Sequence, residues 1–198
     1  GERSDVAKDY QVEQAIEKMV VNEGYSFLGG STAGFYGPYI WKTNLHETYE
    51  VDLPSGVQRY SLTMMDGFVS RSWLDYISFG RVGTGGWSGK DGNLCCVRAL
   101  YDTDSQAFKV SFLKHEAQHS YDQTLFPHIT SPELEYQAKL IEVIYWDDEE
   151  KIKGFILEAD MKDEHNTHAV ASYRIISDLS KLLLKADIEK DPCMFEGM

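Results

Sequence analysis

Apolar and polar positions follow two different rhythms along the chain. Between residues 47 and 65 they alternate: Tyr49, Val51 and Leu53, then, after Pro54-Ser55-Gly56, Tyr60, Leu62 and Met64. A period of two places these side chains on one face of a pleated ribbon, so the segment predicts strand, turn, strand. Past residue 130 the spacing is three and four. Ser131 is a good helix cap and Pro132 suits a first helical position, and Leu134, Ala138, Ile141 and Tyr145 then share one face. Residues 151–161 and 168–187 predict two further helices, the last aligning Ala169, Tyr173, Ile176, Leu179 and Leu183. Residues 11–21 predict an earlier helix with Val12, Ile16, Met19 and Val20 as its apolar side.

The remaining segments carry weaker rhythms. Residues 24–41, rich in glycine and aromatics, predict loop with short extended pieces. Residues 73–80 suit a strand or a short helix equally. Residues 80–93 hold six of the 16 glycines and predict a loop whose Trp87 could close over a cleft. Residues 95–102 and 107–113 flank Thr103-Asp104-Ser105-Gln106 and predict a hairpin. Strands precede helices, which is an α+β order. The 198 residues suit one domain, with a mixed or antiparallel sheet in 1–110 and a helical part in 111–198.

Composition narrows the function classes. A formal net charge of -13 sets the chain against nucleic acid and anionic lipid, both of which would repel it. No run of apolar residues is long enough for a membrane-spanning helix, and no signal peptide is visible. The chain opens Gly1-Glu2-Arg3-Ser4 without an initiator methionine, so a longer natural chain exported to the periplasm, cell surface or medium is the expectation, beside a cytoplasmic alternative. Cys95, Cys96 and Cys193 form no disulfide framework and read as free thiols.

The chemistry concentrates in Lys114-His115-Glu116-Ala117-Gln118-His119-Ser120. On a helix, residues four apart stand on one face, so His115 and His119 can hold one ion through their imidazole nitrogens. Glu116 lies about 100° around, outside the pair but within reach of a water on that ion. Zinc lowers the pKa of such a water from about 15.7 to roughly 7, and a carboxylate can then take its proton. Asp122 falls about 20° from His115 on the same face. It is expected to bond a ring nitrogen of a ligand, with direct ligation as an alternative.

This motif and its flanks resemble the zincin metallopeptidases. Ala117, Gln118, Ser120 and Tyr121 match the uncharged and bulky positions of that pattern, and Phe112-Leu113 precede it. The metzincin continuation is absent, because Asp122 and Leu125 stand at its glycine and third-ligand positions. The resemblance covers Phe112 to Tyr145 and is closest to the gluzincins, which take a third ligand from the next helix. It implies Glu135 in that role, because Glu135-Tyr136-Gln137-Ala138 is similar to the gluzincin glutamate helix. Glu142, Asp122 and His128 remain alternative third ligands, while Glu133 points away. A departure is Lys139, where many gluzincins carry an acid.

The resemblance further implies a zinc-dependent peptidase with Glu116 as general base. His168, from a group that includes His165 and Tyr173, is the expected oxyanion donor. A peptide or protein substrate would lie along a sheet edge, for which residues 95–101 are the candidate. A catalytically inactive metal-binding or interaction module of the same architecture is the alternative reading.

Overall fold

The computed structural model describes residues 2–32, 35–88, 93–162 and 165–185. Cys193 lies outside them. The chain is a mixed α and β structure that resolves into two compact units interleaved in sequence. The first comprises Gly1–Thr48, Ser61–Trp87 and Cys95–Leu100, the second Tyr49–Tyr60, Ser88–Leu94 and Tyr101–Met198.

Helix α1 (Glu2–Asn22) opens the first unit, followed by β1 (Ser26–Leu28), β2 (Ser31–Thr32), β3 (Phe35–Tyr36) and β4 (Tyr39–Trp41). These are the short extended pieces expected from the glycine-rich stretch. Strand β1 pairs antiparallel with β4, Ser26 facing Trp41, and β4 with β7 (Ser70–Arg71). The ambiguous residues after β7 form the short helix α2 (Ser72–Ile77). Tyr39, Trp41, Met65 and Val97 make the core of this unit, with Phe68 and Trp87 packed on it. Helix α1 forms as expected, but Val12, Ile16 and Met19 are exposed, so its apolar side is not a core face.

The long strands β5 (Thr43–Leu53) and β6 (Gly56–Asp66) bear out the alternation. Val51, Leu53, Tyr60, Leu62 and Met64 are all buried, and the polar residues between Val51 and Leu53 and between Tyr60 and Leu62 are exposed. Gly56, at φ 113°, takes the left-handed backbone that ends the turn, which other residues reach only with strain. With β8 (Gly86–Ser88) and β9 (Leu94–Val97) these strands form a sheet in the order β5-β6-β9-β8. Two expectations change here. The strand that starts at Leu94 is interior to the sheet, so it offers no free edge to a peptide. Trp87 stands on a strand and packs into the core, its ring 6.0 Å from that of Tyr39, instead of riding a loop. Cys95 and Cys96 are free thiols, and burial pushes the Cys96 thiol up to about 12.

The expected hairpin at 95–113 is absent. Residues Arg98–Leu100 form a 3-10 turn, and Ala107–Lys114 is π-helical, running without a break into α3 (His115–Leu125). Phe108, Val110 and Phe112 are buried in alternation, which imitates a strand when only the sequence is read. The Ser105 hydroxyl accepts from the Phe108 N–H at 3.1 Å and so caps a free N–H of the first turn, while Gln106, the residue just before the run, makes no side-chain cap bond. The hallmark of the wide helix is the His115 N–H, which reaches the carbonyls of Val110 and Phe112.

Helices α4 (Ser131–Tyr145), α5 (Glu150–Glu158) and α6 (Thr167–Leu179) complete the second unit, followed by a π-helical turn at Ser180–Leu184. The cap of α4 is Thr130 rather than Ser131, which puts Pro132 within the first two helical positions. Asn166 caps α6 through the Ala169 N–H at 3.2 Å. Phe155, Ile175 and Ile176 are buried among Tyr136, Leu140, Val143, Ile152 and Tyr173. Ala169 and Ile176 are buried as expected, but Leu183 is exposed.

Phe108 is fully buried and meets Tyr49, Tyr101 and Phe112 with ring centroids 5.6–5.8 Å apart. Phe108→Ala is expected to lower folding stability by about 3–5 kcal/mol, read as a shift of the urea midpoint. A loss under about 1 kcal/mol would show that this helix start does not anchor the second unit.

Candidate metal centre

Helix α3 delivers two imidazoles to one place. His115 and His119 are one turn apart, both buried, with ring centroids 4.6 Å apart and planes at 90°. Helix α4 brings Glu135 against them. Its Oε2 is 3.4 Å from His115 Nε2 and its Oε1 is 3.5 Å from His119 Nε2. One ligand atom from each of the three residues lies within 4.8 Å of the others. Among the described residues they are the group of His, Cys, Asp and Glu side chains arranged closely enough to hold a metal ion.

The contacts at Glu135 resemble a set of donors awaiting a cation more than a finished hydrogen-bond network. Oε2 is buried, with His115 Nε2 at 3.4 Å and His168 Nδ1 at 3.1 Å, yet it has no hydrogen-bond partner of proper direction. His119 Nδ1 is likewise buried without one. Such groups are costly unless something charged completes them. Burial pushes the Glu135 carboxyl up, but the neighbouring imidazoles of His115 and His119 hold it well below the usual carboxylate range. Two imidazoles and an ionised carboxylate are a donor set that suits a divalent metal ion.

His115 is fixed from behind. Its Nδ1 donates to Glu142 Oε1 at 2.7 Å. A carboxylate only accepts, so the proton belongs on Nδ1, and Nε2 faces Glu135. Burial pulls the His115 imidazole down, but Glu135 and Glu142 outweigh it and push it up to about 9. Burial pushes Glu142 up in turn, and His115 and Lys151 bring it down to about 2. Glu142, an alternative ligand by sequence, is thus occupied in orienting His115.

The other expected residues divide. Glu116 is half-buried and has no hydrogen bond or ion pair among the described residues. His168, at the start of α6, joins the cluster: beyond its contact with Glu135, its ring stacks at 6.2 Å from that of His115. Half of its side chain remains exposed. Asp122 does not bond a ring nitrogen. Its Oδ1 accepts from Gln118 Nε2 at 2.9 Å and its Oδ2 has no partner, because the amide four residues earlier on the same helix reaches it first. His128 lines an open hollow with Leu125, Phe126 and Glu133 and is not in the cluster. Tyr173 packs in the core, His165 is exposed, and His46 meets Thr63 Oγ1 at 3.0 Å.

Sequence reasoning noted Lys139 only as a departure from the gluzincin pattern, without its partner, and missed Lys151. Lys139 is buried and pairs with Glu158 at 2.6 Å, an oxygen that also accepts from the Ser172 hydroxyl at 2.6 Å. Lys151, on α5, binds Glu142 Oε2. The signal available was the spacing of Lys139, four residues after Glu135 and three before Glu142. It left open which carboxylate the lysine would take.

Comparison of the chain with protein-family models, with curated proteins and with solved structures gives no match.

The Lys139–Glu158–Ser172 contacts predict a pH dependence. Burial pushes the Glu158 carboxyl up, but Lys139 and Ser172 bring it below its ordinary value of 4.5. A carboxyl lowered in the folded state contributes stability that is present above its unfolded value and lost as pH falls. Glu158→Gln is therefore expected to be less stable than the parent at pH 6–7, with the gap closing as pH drops below about 4.5. Urea midpoints across that range check it, and a gap that widens on acidification would contradict the assignment.

Proposed function

We propose that the chain carries a zinc-dependent peptidase site of zincin type, close to the gluzincins. The observation that carries this reading is the convergence of His115 and His119, four apart on α3, with Glu135 from the next helix. This is the arrangement implied by the motif resemblance, and the donor set fits the ion. Zinc held there supplies Lewis acidity, which polarises a carbonyl and makes water a nucleophile near neutral pH.

The chain's own groups handle the protons. Glu116 follows His115 directly, and its carboxylate has no hydrogen-bond or ion-pair partner among the described residues, so it takes the proton that water loses as the new carbon–oxygen bond forms. The same carboxyl returns that proton to the amine nitrogen as the carbon–nitrogen bond breaks, which balances the hydrolysis. His168 stands at the edge of the cluster, partly in solvent, and serves as a hydrogen-bond donor to the developing oxyanion. Glu142 keeps His115 in the tautomer that leaves Nε2 for the ion.

Purified protein offered zinc is expected to retain about one equivalent per chain and to cleave a mixed peptide library in a chelator-sensitive way. Glu116→Gln is expected to keep the metal and lose at least about 100-fold in turnover. A fully active variant would remove Glu116 from the mechanism. Retained zinc without chelator-sensitive cleavage by the parent protein would leave a metal-binding module in place of an enzyme.

A further inference from the structure

The two glutamates that serve the cluster come from one helix. Glu135 and Glu142 are seven residues apart on α4, two turns, and so project from nearly the same side. The lysine between them in sequence, Lys139, is within helical reach of both. It serves neither. Its ammonium is committed to Glu158 at 2.6 Å and lies 4.5 Å from the centre of the Phe155 ring. The cation that neutralises Glu142 comes instead from α5, as Lys151.

We infer that Lys151 is a positioning residue of the metal centre: it pins Glu142 against His115, and affinity for a divalent cation depends on that pin. The inference rests on the reading of His115, His119 and Glu135 as the metal-holding set. Glu142 is almost wholly buried and has two oxygens to satisfy. Oε1 accepts from the His115 Nδ1–H and Oε2 pairs with the Lys151 ammonium. Without the ammonium, Oε2 would be a buried anionic oxygen with no partner. The carboxylate would turn to find another donor, and the bond that fixes the His115 ring would go with it.

Lys151 is itself held for the task. Its ammonium lies 4.7 Å from the centre of the Trp146 ring and 5.6 Å from that of Phe155, and its side chain is only 19% exposed. Phe155 therefore stands beside both lysines and helps to keep one on Glu158 and the other on Glu142. Lys153, two residues further along α5, differs in kind. It is more exposed, and its ion pairs among the described residues are with Glu149, which precedes α5, and Glu150.

The experiment measures zinc affinity of the whole chain by competition with a chromophoric chelator, with urea midpoints recorded for each metal-free variant. Lys151→Met is expected to bind zinc about 10- to 100-fold more weakly, as loss of an outer support to a ligand does. Lys151→Arg is expected to stay close to the parent, because a guanidinium also pairs with the carboxylate. Lys153→Met removes the same charge from α5 and is expected to change nothing. In a Glu142→Gln background the Lys151→Met change is expected to have no further effect, and this pair keeps the test open should Lys151→Met alone not fold.

A folded Lys151→Met protein with parental affinity would overturn the inference. So would an equal loss in Lys153→Met, or a further loss in the Glu142→Gln background. A parent chain that takes up no zinc would overturn the metal reading itself, a result distinct from all three.

Discussion

A carboxylate taken out of water needs positive or polar partners, and in this chain that requirement organises the second unit. Glu135 and Glu142 are both withdrawn from solvent on α4. Leaving either without partners would cost several kcal/mol, a large share of the roughly 5–15 kcal/mol that holds a domain folded. The partners arrive from three other helices: His115 and His119 from α3, Lys151 from α5 and His168 from α6. The fold thus brings the helices together around polar chemistry as well as around the apolar core of Phe155, Ile175 and Ile176.

The two carboxylates have different fates because their surroundings differ. Glu142 has both oxygens matched, one by an imidazole N–H and one by an ammonium. It behaves as a finished structural group. Glu135 is flanked by three imidazoles, none of which gives its Oε2 a properly directed hydrogen bond. That difference separates a residue suited to hold an ion from one suited to hold a ligand in place. A histidine between two carboxylates divides its nitrogens accordingly, Nδ1 to Glu142 and Nε2 toward Glu135.

The nearness of His115 and His119 was legible because helical periodicity is local, whereas Glu135 was expected only from the motif resemblance. His115 and His119 share a face for any helix. The strands were legible for the same reason: Val51, Leu53, Tyr60, Leu62 and Met64 alternate and are buried. What escaped depends on distant partners or on helix type. Phe108, Val110 and Phe112 alternate as a strand would, and only the Ser105 cap and the flow into α3 reveal the π-helical run. Lys139 and Lys151 could be placed only once Glu158, Ser172 and Phe155 had been brought beside them. Asp122 shares the metal face by angle, but Gln118 on its own helix captured it.

Lys139 and Lys151 also explain how the site tolerates a basic residue between its two glutamates. A lysine four after Glu135 would, if free to turn, place an ammonium against the carboxylate and compete with any cation there. Glu158, Ser172 and the Phe155 ring hold it instead in a buried, paired position, with its ammonium on Glu158. The same ring then stands beside Lys151, which faces Glu142. One aromatic side chain thus helps sort two like charges between two acidic partners. That sorting keeps the Lys139 ammonium on Glu158 and supplies the Lys151 ammonium to Glu142.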